Sequence, residues 1–297
     1  MNKFIMMVGL PGSGKSTLAK ELALKENAAL HSSDDLREEL FGDANNQDNN
    51  ELVFQELNRR INQDLSEGKS VVYDATNLSY KKRKLTLDRI KQECYKECIL
   101  VATPYEKCLH QNNLRSRKVP ETVIEKMYKS FLVPQYYEGW DNIKVEFNTD
   151  EDYDLAELFK ELDVISQDNS HHTLTIGEHC KKCAEYIEEQ HNDEILLMAA
   201  LLHDIGKKFT KRFEDRTGNP TEEAHFYNHQ NVSAYLSLFY LKHMPVEKIL
   251  EITNLIQWHM QPFNIKTGKA KTKSTNLLGR EAYDNLLRLH EADVRAK

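Results

Sequence analysis

The stretch Lys3-Phe-Ile-Met-Met-Val8 followed by Gly9-Leu-Pro-Gly-Ser-Gly-Lys-Ser-Thr17 decides the reading of the N-terminal half. Six residues of apolar, strand-forming character run into G-x-x-x-x-G-K-[ST], and a helical pattern begins at once over 15–26. The glycines let successive backbone N–H groups turn toward one point, and the start of the helix adds its positive end. A phosphate is the ligand that such a concavity fits. This assigns Gly12, Ser13, Gly14, Lys15, Ser16 and Thr17 to nucleotide phosphates, with Lys15 reaching the β- and γ-phosphates of ATP and Ser16 ligating Mg²⁺.

Outward from this loop, short apolar runs at 28–32, 70–74, 97–102 and near 143–147 alternate with helical patterns at 51–67 and 79–93. That order predicts βαβ units and a parallel sheet. From 170 onward no strand is expected, and helical patterns follow one another at 172–190, 193–204, 226–242, 245–259 and 280–294. The expected fold is therefore an α/β P-loop domain with a parallel sheet over 1–150, an acidic connector over 151–168 with a helix near 154–165, and an all-α domain over 169–297. Gly42–Asn50, Gly206–Glu223 and Asn264–Thr275 read as loops.

A chain of 297 residues suits two domains, and 40% hydrophobic with 29% charged residues excludes disorder as its main state. No apolar run approaches the roughly 18 residues that span a bilayer, so no membrane partner is expected. Five cysteines, an odd number, fit a reducing compartment, and a cytoplasmic location is expected. The net charge of −7 is concentrated in 138–163, where ten acids face two lysines. The remainder is close to neutral, so a specific polyanion site is not excluded. The acidic stretch itself is assigned to solubility.

Three further segments carry candidate chemistry in the first half. Ser33-Asp-Asp-Leu-Arg37 follows a strand, where α/β ligands bind. Asp34 can serve as general base for an acceptor hydroxyl, and Arg37, three residues on, can hold a substrate phosphate. Asp35 competes for the base role, and one of the two aspartates is expected to cap the helix. Asp74, at the end of VVYDATN, suits Mg²⁺ or the orienting of Arg37. Arg115, Arg117 and Lys118 form a cationic lid before Pro120, as a transferring phosphoryl group requires.

Together GLPGSGKST, SDDLR, YDATN and NNLRSRKVPETVIEKMYKSF resemble the 5′-hydroxyl polynucleotide kinase of phage end-healing enzymes over roughly 3–135. The resemblance implies Asp34 as base, Arg37 on the acceptor phosphate and Arg115 on the ATP phosphates, with Arg115 and Arg117 open to exchange.

In the second half, His203-Asp204 ends an apolar helical run and precedes Ile-Gly-Lys207. His179, His229, His259 and Asp293 fall on other helical patterns. Nitrogen and oxygen ligands converging from separate helices suit a hydrolytic divalent metal, with Lys207 beside it to neutralise a phosphate. His225 and His229 are spaced i, i+4, and either could be the ligand. Cys180 and Cys183 read as packing residues. The lysine-rich runs 81–84 and 266–273 read as solvated faces or as grips on a nucleic-acid backbone. His171, His172, His243 and His290 are background.

This half resembles the HD phosphohydrolase superfamily over about 170–297. Its tail LLRLHEADVRAK is similar to the end of the HD domain of bacterial CCA-adding tRNA nucleotidyltransferases, where a 2′,3′-cyclic phosphodiesterase activity is known. The signature H…HD…D maps to His179, His203, Asp204 and Asp293, while His229 and His259 match the longer two-metal versions. Mn²⁺, Ni²⁺, Co²⁺ or Zn²⁺ is the implied metal.

A kinase and a phosphohydrolase acting on one phosphate would undo each other, but acting on opposite ends of a broken strand they cooperate. The expected function is end healing: ATP-dependent phosphorylation of a 5′-OH and opening of a 2′,3′-cyclic phosphate. Its partners would be RNA or DNA ends, tRNA among them, and a separate RNA ligase. The alternatives are a nucleoside or antibiotic kinase joined to a nucleotide phosphohydrolase, and a non-catalytic ATP-switched binding module.

Overall fold

The computed structural model describes residues 1–170, 173–265 and 267–296. The chain divides into two compact units, Met1–Met127 with Pro134–Thr149, and Tyr128–Val133 with Asp150–Lys297. His171, His172 and Lys266 lie outside the described residues.

The first unit is a five-stranded parallel sheet of β1 (Lys3–Val8), β2 (Ala29–Ser32), β3 (Val71–Asp74), β4 (Tyr95–Ala102) and β5 (Asn142–Phe147), in the order β2-β3-β1-β4-β5. Its helices are α1 (Lys15–Lys25), α2 (Ser33–Phe41), α3 (Asn50–Ser66), α4 (Tyr80–Asp88), α5 (Tyr105–Leu114) and α6 (Glu121–Lys129), the last two residues of α6 being counted with the second unit. The central strand β1 is buried from Phe4 to Val8. A strand covered on both faces reads as a continuous apolar run, which is why it stands out in the sequence. Ile5, Met7, Val72, Ile99 and Val101 pack with Ala19 and Ala23 of α1. The connections run to opposite sides of β1, so the loop after it opens at a switch point on the carboxyl edge of the sheet.

The second unit holds α7 (Leu155–Leu162), α8 (Ile176–His191), α9 (Glu194–Leu202), α10 (Lys207–Thr210), α11 (His229–Tyr240), α12 (Val246–Trp258), α13 (Gln261–Asn264), α14 (Gly268–Leu278) and α15 (Arg280–Arg295). Helix α9, EILLMAALL, packs against α8, α12 and α15. Thr175 starts α8 with a capping box to Glu178, and Asp193 starts α9 by accepting from Ile195 N and Leu196 N.

Two loop expectations are corrected. Gly206–Glu223 holds α10 and an antiparallel hairpin of β6 (Arg212–Glu214) and β7 (Pro220–His225), so the helical half contains strands. Its strand residues PTEEAH show no apolar alternation and gave no signal. Asn264–Thr275 is mostly α14, started by Thr267, whose Oγ1 accepts from Ala270 N. Lys269, Lys271 and Lys273 are exposed along it, and with so few apolar positions its period was invisible.

The charge runs are also corrected. Arg83 is not on a solvated face: it is fully buried and paired through two nitrogens to Glu138, at 2.6 and 2.7 Å. The acidic stretch does more than solubilise. Asp154 caps α7, Asp152 meets Lys242 at 2.7 Å, and Asp163 meets Lys181 at 2.5 Å.

Candidate active sites

In the first unit Gly12 and Gly14 hold φ of 79° and 87°, which L side chains avoid. A Cβ on Gly12 would also collide with the Cys108 carbonyl oxygen. The Ser13 carbonyl is pinned by Thr103 Oγ1 at 2.8 Å and Asn148 Nδ2 at 3.0 Å. Helix α1 begins at Lys15 with neither a side-chain cap nor an acid in its first turn. Its first N–H groups are thus left for a ligand, and an anion is the complement of that dipole end. Lys15 is buried, Ser16 half-buried and Thr17 exposed.

Ser32 is the cap of α2, its Oγ accepting from Asp34 N and Asp35 N at 3.3 and 3.2 Å. Neither aspartate caps the helix, contrary to expectation, because Ser32, two residues before Asp34, takes that role. Asp34 instead lies between two guanidiniums. Arg37 Nη1 is 3.2 Å from Oδ1, and Arg117 Nη1 contacts Oδ2. Asp35 is exposed.

Arg37 is buried and held from behind by the Ser33 carbonyl at 3.1 Å and Asn50 Oδ1 at 2.7 Å. Burial pulls its pKa down and Asp34 works against that. Asp74 does not orient Arg37, since Asn50 does so. Asp74 lies in register between Met7 and Ser32 of the neighbouring strands, and its buried Oδ1 has no hydrogen-bond partner among the described residues. A buried orphan carboxylate oxygen beside a phosphate loop fits a hard cation such as Mg²⁺. Of the two lid arginines, Arg117 is the one on Asp34, with Nε also donating to Asn45 Oδ1 at 2.7 Å. The Arg115 side chain makes no hydrogen bond or ion pair among the described residues, and Lys118 is exposed.

In the second unit His179, His203, Asp204, His229, His259 and Asp293 are all buried and meet at one place. Each ring donates from Nδ1 to a backbone carbonyl: His179 to Ala296, His203 to Ala200, His229 to Phe226 and His259 to Ile256, at 2.7 to 3.1 Å. That fixes the tautomer and turns every Nε2 inward. The Nε2 atoms of His179 and His203 are 3.2 Å apart, and those of His229 and His259 are 3.1 Å apart.

Asp293 Oδ1 is 3.2 Å from His179 Nε2. Asp204 spans both pairs, with Oδ2 3.3 Å from His179 Nε2 and Oδ1 3.2 Å from His229 Nε2. Inward lone pairs and carboxylate oxygens at such spacing repel one another unless a cation lies between them. The donors separate into His179, His203 and Asp293, and Asp204, His229 and His259. Two nitrogens with a carboxylate in each set fit a borderline divalent metal, and Asp204 faces both sets.

The protonation of the cluster points the same way. Burial lowers the pKa of His179, but hydrogen bonds to Asp204 and Asp293 outweigh it and push it up to about 9. His259, buried beside His203 and His229, is pulled down to about 3. Burial raises the Asp204 carboxyl, yet Lys207 and His203 hold it well below the usual range. The cluster thus gathers protons or cations around two ionised carboxylates.

Lys207 Nζ is buried, 2.6 Å from Asp204 Oδ2 and 2.6 Å from Gln167 Oε1. His225 is not in the cluster: it ends β7 and stacks on Tyr227, so no helix links it to His229, which starts α11. Cys180 and Cys183 are buried free thiols whose pKa burial raises, as packing residues require. His243 meets Asp152 at the surface and His290 packs on Phe263. A cleft of about 600 Å³ opens onto Asp204, His229, His259 and Asp293.

Residues 4–134 match the AAA domain family and residues 169–296 match the HD domain family. The chain joins an AAA-type P-loop domain to an HD domain. A curated relative of the chain, the L-seryl-tRNA(Sec) kinase of Methanococcus maripaludis, is 28% identical over 180 residues, 56% of this chain and 67% of its own length. A solved structure of the Pnkp1/Rnl/Hen1 RNA repair complex is similar at 24% identity and a TM-score of 0.40, over 43% of each chain. This chain therefore spans less than half the length of that one. A gluconokinase from Sinorhizobium meliloti is similar at 15% identity and a TM-score of 0.36, over 52% of this chain and 86% of its own.

Among the described residues no helix of either domain is long and apolar enough to cross a membrane. Sequence reasoning missed three residues that hold others in place. In the P-loop domain Asn50 and Asn45 fix Arg37 and Arg117, and both lie in the Asn-rich segment read only as a loop. In the second unit Gln167, just before the HD match, fixes Lys207 from 40 residues away, and nothing in its sequence context marks it.

Proposed function

We propose that the chain is a bifunctional end-healing enzyme that phosphorylates a 5′-OH with ATP and opens a 2′,3′-cyclic phosphate at RNA ends. The observation that carries it is the setting of Asp34: a carboxylate between two guanidiniums on the carboxyl edge that also presents the phosphate loop. In this reading Asp34 takes the proton of the attacking hydroxyl, and Arg37 binds the phosphate next to that hydroxyl. Lys15 and the first N–H groups of α1 bind the ATP phosphates, while Arg115 and Arg117 supply lid cations. Ser16 and Asp74 would hold Mg²⁺. The relative named for a kinase of an aminoacylated tRNA supports an RNA-borne hydroxyl as acceptor.

In the HD domain His179, His203 and Asp293 would hold one divalent metal and His229 and His259 a second, with Asp204 between them. When bound, such metals supply Lewis acidity toward a phosphodiester and water. Lys207 offsets phosphate charge, and Gln167 holds the lysine in place. A 5′-phosphate and a 3′-OH are the inputs of a separate ligase, so the monophosphate left when the cyclic phosphate opens must also be hydrolysed, releasing inorganic phosphate, before the ends can be joined.

The test uses one RNA oligonucleotide bearing a 5′-OH and a 2′,3′-cyclic phosphate, incubated with ATP, Mg²⁺ and each of Mn²⁺, Ni²⁺, Co²⁺ and Zn²⁺, both ends being read by mass. The expected result is gain of one phosphate at the 5′ end and opening or loss of the cyclic phosphate with at least one transition metal. An unchanged RNA at both ends, with nucleosides phosphorylated under the same conditions, would overturn the reading in favour of a small-molecule kinase.

A further inference from the structure

The β6–β7 hairpin contributes nothing to the six-residue cluster, yet with the corner after it forms one wall of the same cleft. Arg216, His225, Phe226 and Tyr227 line the cleft together with Asp204, His229 and His259. The Tyr227 ring carries the Arg216 guanidinium at 5.0 Å and the Arg212 guanidinium at 5.6 Å. The His225 ring lies nearly parallel to it, its centroid 5.3 Å away. Among the described residues neither arginine pairs with a carboxylate, and Glu223, which also lines the cleft, is not bonded to either.

A guanidinium held against an aromatic face loses little freedom when it binds, and its fork matches phosphate. Arg216 is exposed and, among the described residues, makes no hydrogen bond or ion pair with the cluster, whereas Lys207 is buried against Asp204. The two cations therefore serve different depths of one cleft. Lys207 suits the phosphate that reacts, and Arg216 suits a phosphate farther out. A free cyclic nucleotide has one phosphate and leaves Arg216 unused, but a polynucleotide end offers the next phosphodiester.

We infer that Arg216, propped on Tyr227, binds the phosphodiester one nucleotide back from the reacting terminus, so that the HD cleft selects a polynucleotide end over a free nucleotide. The inference rests on the phosphoesterase reading above. It names the polynucleotide backbone as the recognised chemistry and the hairpin as the element that reads it.

The experiment compares kcat/KM of the full-length metal-loaded protein for 2′,3′-cyclic AMP and for a short RNA ending in the same cyclic nucleotide. The wild type should favour the RNA, and Arg216→Ala should reduce the RNA-to-nucleotide ratio roughly 10–100-fold, the usual effect of losing a charge-assisted contact. The slope of log kcat/KM against log salt for the RNA should shrink by about one. Arg216→Lys should keep that slope while losing part of the ratio, because the charge stays and the fork goes. A wild type with no preference, or an Arg216→Ala variant that slows both substrates equally, overturns the inference alone. Turnover of neither substrate with any of the metals overturns the phosphoesterase reading and this inference with it.

Discussion

In the P-loop domain the residues proposed for the ATP phosphates come from six consecutive positions, Gly12 to Thr17, and would act largely through backbone N–H groups. In the HD domain six side chains come from α8, the end of α9, α11, the end of α12 and α15, and act through ring nitrogens and carboxylates packed in the interior. A contiguous site depends on local backbone shape, so it forms wherever its glycines allow it. A convergent site depends on the whole helical packing, and its buried acids and lone pairs make that packing depend on a cation in return.

The sharpest way to break this comparison is to remove one residue from each side. Lys15→Ala should cut 5′-OH phosphorylation by about a thousandfold and spare the phosphoesterase, and Asp204→Ala should do the reverse. Paired assays on the same RNA would check both, and loss of both activities from either change would show that the sites are not independent. Next in size, Asp34→Asn should lower the kinase rate roughly 10²–10⁴-fold, as removal of a general base does. Its urea midpoint should fall only modestly, since this half-exposed carboxylate caps nothing and the buried Arg37 keeps the Ser33 carbonyl and Asn50 Oδ1.

How much of this was open to a reader of the sequence follows from the same contrast. The loop, the parallel sheet and His203-Asp204 are written in adjacent letters, and β1 is apolar throughout because both of its faces are covered. His229 could not be chosen over His225 because the choice depends on where α11 starts, and Asn228 with its φ of 64° sets that start. Ser32 hid behind two aspartates that are equally good caps. Buried Arg83 looked like one more basic residue in a run, since its partner Glu138 lies 55 residues away in an acidic stretch. Gln167 and the hairpin arginines carry no local pattern, and only the tertiary packing of the HD domain gives them a place.

Smaller effects sharpen the comparison further. Chelation of the purified protein should lower the stability of the HD domain by about 2.7 kcal/mol for each metal present at a hundredfold excess over its Kd. Calorimetry should then show one transition moving down while the P-loop domain, in the absence of nucleotide, melts unchanged. If both transitions move together, the cation dependence is not confined to the convergent site. Smallest of all, Ser32→Ala should cost about 1 kcal/mol by removing the cap of α2. Its kinase rate should fall far less than that of Asp34→Asn, a difference that a side-by-side denaturation and rate measurement would read.

The bridging position of Asp204 has one more consequence. Its two oxygens face different pairs of rings, so in the proposed two-metal reading a single carboxylate charge would be divided between two ion subsites. The first ion to enter would draw on most of that charge and leave less for the second, which would also approach a like-charged neighbour. Loading should therefore proceed as two unequal steps of one isotherm, and the weaker subsite becomes the place where the ambient concentration of trace metal sets how much of the enzyme is fully assembled.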